Sequence, residues 1–316
     1  MARAQGARAQ LALGFETVYG TPPVAGNFWQ MPFASSGLGA EQPLLSSELL
    51  GYGRDPLAPV LDAVTADGDV VVPIDQRFIG IWLKALFGSP TSTGSTGAYT
   101  HTYQSGGWSL PSMSIEVGNP EVPSYRMLKG VVANSINWQM ARSGLVTATV
   151  NCMAQGETPA AASAAGVLGT RALNRFGAFH GGISMGGSQL ANVVSGSVNY
   201  SNNLERVETI RADGLIEGCD PGQATLTGEV TVRFADTTLL TQALSGAPVV
   251  MAFSYTDGTR SLTLTAHAVY LPRPRIQLDG PGGIQATFNW QAAQAASPAR
   301  MATVVLVNDM PNFQNP

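Results

Sequence analysis

Hydrophobic and polar positions follow the same order of signals twice along the chain. In the first stretch Asp69, Val71 and Pro73 alternate with Val70, Val72 and Ile74, a period of two that predicts a strand with one face in a core. Phe78, Ile81, Trp82, Ala85 and Leu86 follow at helical spacing, closed by Gly88-Ser89-Pro90. In the second stretch Glu229, Thr231 and Arg233 alternate with Val230, Val232 and Phe234, and Leu239, Leu240, Ala243 and Leu244 predict a helix closed by Gly246-Ala247-Pro248. Strands at 99–104 and 112–117 predict a hairpin after the first helix. Their counterparts at 249–255 and 261–269 are turned by Asp257-Gly258, a good tight-turn pair.

An N-W-Q triplet then recurs in Ile136-Asn137-Trp138-Gln139 and Phe288-Asn289-Trp290-Gln291, and strands at 145–151 and 303–308 close each stretch. Residues 28–35 and 193–200 supply a first strand to each. Both lead into long stretches without strand signals, 36–66 and 201–224, and loops of that length are usually functional. The matched order predicts a tandem duplication of one β-rich unit carrying a single amphipathic helix. Chance similarity of two β domains would have to reproduce every step of it. Small residues and one proline from Gly156 to Arg171 read as a linker. The expected division is an N-terminal arm 1–25, a first domain 26–155, a linker 156–171, a second domain 172–309 and a C-terminal tail 310–316.

Composition narrows the class. Of 316 residues, 17 are Lys or Arg and 21 Asp or Glu, 12% charged against roughly 25% in ordinary soluble domains. No window reaches the roughly 18 apolar residues of a membrane-spanning helix, and mean hydropathy is only +0.08. The surface falls to Gly, Ala, Ser, Thr, Asn and Gln, a neutral skin suited to burial against other copies and a hint of assembly; the alternative is a genome-wide bias, with Lys84 and Lys129 the only lysines beside fifteen arginines. A net charge of -4 argues against a high-affinity nucleic-acid binder. The apolar run from Leu11 to Phe15 is too short for a signal-peptide core, so Cys152 and Cys219 are expected as reduced, buried thiols.

Candidate chemistry is sparse. Gly182-Ile183-Ser184-Met185-Gly186 matches a nucleophile elbow, with Asp236 and His267 following in hydrolase order, but no helix is predicted after Ser184. His101, His180 and His267 are isolated, and no metal or cofactor site is expected. Charges gather in the long stretches: Glu205, Arg206, Glu208, Arg211, Asp213, Glu217 and Asp220 in one, Glu41, Glu48, Arg54, Asp55 and Asp62 in the other. Alternating acids and arginines on a long arm are expected to pair across a subunit boundary. Trp29, Trp108 and Tyr125 offer a second reading, a carbohydrate-binding or adhesin β-sandwich whose aromatics stack on sugars.

Several segments together resemble the tail tube (major tail) proteins of tailed bacteriophages and prophages. They are ARAQGARAQLALGFETVYGTPP near the start, YSNNLERVETIRADGLIEGCDPG from Tyr200, FADTTLL from Phe234, LPRP from Leu271, GPGGIQATFNWQAA from Gly280 and LVND from Leu306. The resemblance implies two β-sandwich or half-barrel tube domains, mainly β, each with one flanking helix and long loops. It also implies a structural virion protein, assembled in the host cytoplasm, whose copies form stacked rings around a lumen that conducts DNA. Its partners would be other copies, the tape measure protein, and the tail terminator and distal tail proteins. Two domains per chain favour a trimeric ring with pseudo-sixfold symmetry over a hexamer. The charged stretches become inter-subunit arms, the two chain ends inter-ring contacts, and the strand face of Asp69, Glu229, Thr231 and Arg233 a lumen or outer wall.

Overall fold

Strands dominate a computed structural model that describes residues 3–275 and 282–316. The first half opens with β1 (Gln10–Phe15), β2 (Trp29–Gln30), β3 (Ser35–Ser36) and β4 (Gly39–Glu41). An arm with β5 (Leu44–Leu45) and β6 (Val60–Leu61) leads to β7 (Thr65–Pro73) and α1 (Ile79–Phe87). Next come β8 (Thr91–Ser95), β9 (Ala98–Gln104), β10 (Met113–Asn119), the long β11 (Ser124–Ala141), β12 (Thr147–Ala154) and β13 (Gly156–Ala160). The second half has β14 (Gly181–Met185), β15 (Ser188–Gln189) and β16 (Val193–Ser201), then an arm with β17 (Glu205–Val207) and β18 (Gly218–Asp220). It ends with β19 (Thr225–Arg233), α2 (Thr238–Ser245), β20 (Val249–Thr256), β21 (Ser261–Tyr270), β22 (Gln285–Ala293) and β23 (Ala302–Asn308).

Strand pairing displays the duplication. In the first half β10 lies between β1 and the start of β11; the start of β11 also carries β13, and its end turns into β12, which pairs with β7. In the second, β20 lies between β14 and β21; the start of β21 carries β23, and its end turns into β22, which pairs with β19. Even an irregularity recurs: the bulge opposite Met113 and Ile115 returns opposite Val249 and Met251. Val70 stands against Val150 as Val230 stands against Phe288. Gly68 and Gly228 share one position, and each meets a crossing backbone where a Cβ has no room, Gly37 at the first and Ser197 at the second.

These pairings correct several expectations. Strand 99–104 does not form a hairpin with 112–117; β9 pairs with β8 and β23, so β8 and β9 are an insertion in the first repeat. The two N-W-Q triplets stand on non-equivalent strands, β11 and β22, and the counterpart of Trp290 is Cys152. The expected linker begins as β13, paired with β11, and the expected N-terminal arm contains β1, whose Leu11 and Leu13 are fully buried. The expected first strand at 28–35 is reduced to β2 and the start of β3, and stretch 36–66 does hold short strands. The tail 310–316 packs into the first repeat, where Met310 and Phe313 are buried and Trp29 Nε1 donates to the Gln314 carbonyl (2.8 Å). Met1 and Ala2 of the arm, and Gly280 and Pro281 of the segment starting at Gly280, lie outside the described residues.

One core runs through both repeats, because β11 pairs with β16 and makes their sheets continuous. Asn202 locks this joint from within: its Nδ2 donates to the carbonyls of Leu86 (3.0 Å) and Ala133 (3.2 Å). At the other end a charged clamp spans the repeats. Asp309 accepts from Arg77 Nε (2.9 Å) and Nη2 (2.6 Å) and from Arg260 Nη2 (2.9 Å), while Arg260 Nη1 donates to Gln76 Oε1 (2.8 Å). The hydrogen bond from Arg77 holds the Asp309 carboxyl below its ordinary range. A depressed carboxylate stabilises the fold above the unfolded pKa of about 3.9 and loses that contribution as pH falls through the folded value. Asp309→Asn is therefore expected to lower stability by about 2 kcal/mol near neutrality. In urea titrations repeated from pH 7 to pH 3, the gap to wild type should close below about pH 4.

Candidate assembly surfaces and polar sheet face

The joined sheet has one apolar and one polar face, because its strands alternate in register across the joint. Val70, Val72, Ile136, Trp138, Val150, Val198, Tyr200, Leu226, Val230 and Phe288 point into the core. On the other face Ser195, Ser197, Asn199 and Ser201 stand beside Ala141, Gln139, Asn137 and Ser135 of β11. On their other flank are Thr231, Glu229, Thr227 and Thr225 of β19. The face continues through Thr147, Thr149 and Asn151 of β12 to Asp69 on β7, and through Thr287, Asn289 and Gln291 on β22.

Asp69, Glu229, Thr231 and Arg233 thus share one surface that crosses both repeats. Asn151 Nδ2 donates to Asp69 Oδ1 (2.7 Å), and the Thr231 and Thr287 hydroxyls are 3.0 Å apart. Asp67, on the same face of β7, is paired with Arg206. No lysine stands among these strand residues, and the rest are almost all Ser, Thr, Asn and Gln. The missed residues are the neutral ones. Their signal was the alternation itself, visible in SGSVNYS, TATVN and QATFNWQ once charge is set aside.

The arms differ from expectation. Arg211 pairs within its own arm, with Asp213 and with Glu217 (both 2.8 Å), and this hydrogen bonding holds the Asp213 carboxyl well below the usual range. Arg206 reaches Asp67 in the first repeat of the same chain. Within one chain these two arginines thus already have carboxylate partners. Glu205, Glu208 and Asp220 are exposed on the same arm, Glu205 opposite Asp220. Glu48, Arg54 and Asp55 are exposed on the first arm, with no ion pair among the described residues. That arm also exposes apolar side chains, among them Leu44, Leu45, Leu50, Tyr52, Val60 and Leu61.

The remaining candidates disperse. Ser184 lies inside β14, opposite Ala252, rather than on a strand-to-helix turn. Asp236 accepts the Thr238 amide at the start of α2 (2.9 Å), and His267 Nε2 contacts the Thr303 hydroxyl (2.8 Å). Cys152 is buried and Cys219 half-buried, both free, with burial pushing the thiols up to about 12 and about 11. Trp29 is buried and Tyr125 covers Gly118, leaving Trp108 as the aromatic of that trio open to solvent. No group of three or more metal-ligating side chains occurs among the described residues.

A duplicated β unit with a continuous polar face now stands beside one comparison with known proteins. The model of the phage tail tube protein family matches residues 6–292. The chain belongs to the phage tail tube protein family. It is a structural component of the bacteriophage virion tail. The matched span of this tail tube protein runs from before β1 into β22, so it takes in the first repeat and the second as far as β22. A comparison with curated proteins finds no match. No helix among the described residues is long and apolar enough to cross a membrane.

Proposed function

We propose that this tail tube protein self-assembles into rings that stack into the hollow tail, with the polar face of the joined sheet lining the lumen. The observation that carries the reading is the continuity of that face across both repeats, at the β11–β16 joint. Each repeat is one wall unit, and two per chain make three chains a ring of six units, a trimer with pseudo-sixfold symmetry. DNA binds protein mainly by releasing counterions from its phosphates to clustered cations. A wall of hydroxyls and amides with Asp69 and Glu229 against Arg233 offers little such release, so DNA slides. The tape measure protein occupies the lumen before ejection, and tail terminator and distal tail proteins close the ends.

Electron microscopy of concentrated protein and of the native particle tests assembly: stacked rings of six units are expected, and persistent monomers overturn the reading. The lumen assignment has its own test in the double variant Asn137→Lys, Asn199→Lys, two exposed neighbours across the joint. Its tubes should assemble, while infectivity falls about 10-fold or more because new cations hold phosphates. Full infectivity would place this face on the outer wall.

A further inference from the structure

The two arms are copies of one hairpin in opposite situations. Leu45 faces Val60 across β5 and β6 as Glu205 faces Asp220 across β17 and β18, at the same spacing along the chain that relates Val70 to Val230. Leu44 therefore corresponds to Leu204. Leu204 is 8% exposed, buried where the second arm lies on the first repeat, and its amide donates to Asn134 Oδ1 (2.9 Å). Leu44 is 62% exposed. The second arm has its dock within the chain, and the first arm, more apolar, has none among the described residues.

The sheet edge beneath the arms shows the same asymmetry. β16 is paired on both edges, with β19 and β11, whereas its counterpart, β3 with β4, is paired with β7 alone among the described residues. Thr65 and Thr225 correspond, so Glu41 corresponds to Ser201 and Gly39 to Asn199. The missing neighbour is the counterpart of the end of β11. Counting on from Val131 and Val269 at the shared bulge, Ser135 corresponds to Arg273 and Asn137 to Arg275. Residues 271–275 carry no strand pairing, and Arg273 and Arg275 are exposed.

We propose that residues 35–41 and the apolar arm 42–62 form one surface whose partner is the edge at residues 271–275, with the adjoining second repeat, of another copy of this chain. The pairing repeats the register of the β11–β16 joint. This rests on the ring reading above and names the seam that closes the ring. In that register Ser135 opposite Ser201 becomes Arg273 opposite Glu41, a cross-strand pair of opposite charge. Asn134 accepts from the Asn202 amide (2.7 Å), so Asn134 and Ile136 face the joint, and their counterparts are Pro272 and Pro274. Those prolines leave carbonyl acceptors and remove donors, so the edge cannot pair with itself and takes an edge that supplies N–H groups. Ala40 supplies one; in the single chain it donates to Glu157 Oε2 (3.2 Å). Unlike edges joined head to tail close a ring where the rotation between copies closes.

The experiment combines Glu41→Cys and Arg273→Cys in a Cys219→Ser background and oxidises the assembled protein mildly. A ladder of disulfide-linked chains is expected on non-reducing gels, with single variants staying at monomer and dimer. Rings by microscopy without a ladder overturn the seam and leave the tube reading standing; wild-type protein that never forms rings overturns both. A second variant guards against misfolding. Leu44→Asp should unfold at the wild-type temperature yet need about 10-fold more protein to assemble, one tenfold step being the scale of a single interface anchor. Assembly of Leu44→Asp at wild-type concentrations equally overturns the proposal. Glu41→Arg should weaken assembly and Arg273→Glu, added to it, restore it.

Discussion

Phe313→Ala is expected to lower the stability of the chain by about 4 kcal/mol, the scale of emptying a fully packed aromatic site. Phe313 is 2% exposed and lies against Gly80 of α1, with the His101 ring edge-on at 4.6 Å between centroids. Its backbone carbonyl also accepts from Lys84 (3.0 Å), a side chain buried to 5% exposure whose ammonium stands 3.9 Å over the Phe15 ring. Burial lowers the pKa of Lys84. Deleting residues 310–316 should cost more, since Lys84 and Trp29 both lose backbone acceptors. Urea unfolding of both variants checks this. A deletion that leaves the midpoint unmoved would return the tail to the inter-ring role the sequence first indicated.

Asp75→Ala should destabilise by about 3 kcal/mol, more than an exposed helix cap, because three amides lose their acceptor in a buried site. The fully buried Asp75 carboxylate accepts from the amides of Arg77 (2.9 Å), Phe78 (2.8 Å) and Ile79 (2.7 Å) and so starts α1. Burial pushes its carboxyl up to about 6 against the pull of those amides. Every residue of α1 is buried, so its loss reaches the core of both repeats, while α2 buries only Leu239 and Ala243. Asp236→Ala, which removes the acceptor of one exposed amide at the start of α2, should cost well under half as much. Equal losses from the two variants in parallel thermal melts would show that burial does not set the difference.

How far the site could be read from sequence divides along a physical line. The alternation at 69–74 and 229–234 assigned faces correctly: Val70, Val72, Ile74, Val230 and Val232 are buried. The charged arms looked like interaction chemistry because charge is conspicuous in a chain with so little of it. In the fold Arg206 and Arg211 have partners within the chain. The exposed leucines of the first arm carry no such flag, since a leucine is unremarkable until its surroundings are known. Tyr99 to Gln104 read as a hairpin partner for 112–117 by proximity in sequence, yet β9 found β23 from the other end of the chain.

By itself the sequence determined that this is a duplicated, mainly β chain with one helix per repeat, and its motifs pointed to the tail tube family. Those properties are local: side-chain period, turn chemistry and the order of elements are written residue by residue. Only the tertiary structure decided which strands pair, that the N-W-Q triplets are unrelated positions, that the tail is core, and that one arm is docked while its copy is bare. Partner choice joins segments far apart in sequence, and backbone hydrogen bonds are the same for every strand. Packing over the whole core selects among pairings that local pattern leaves equal.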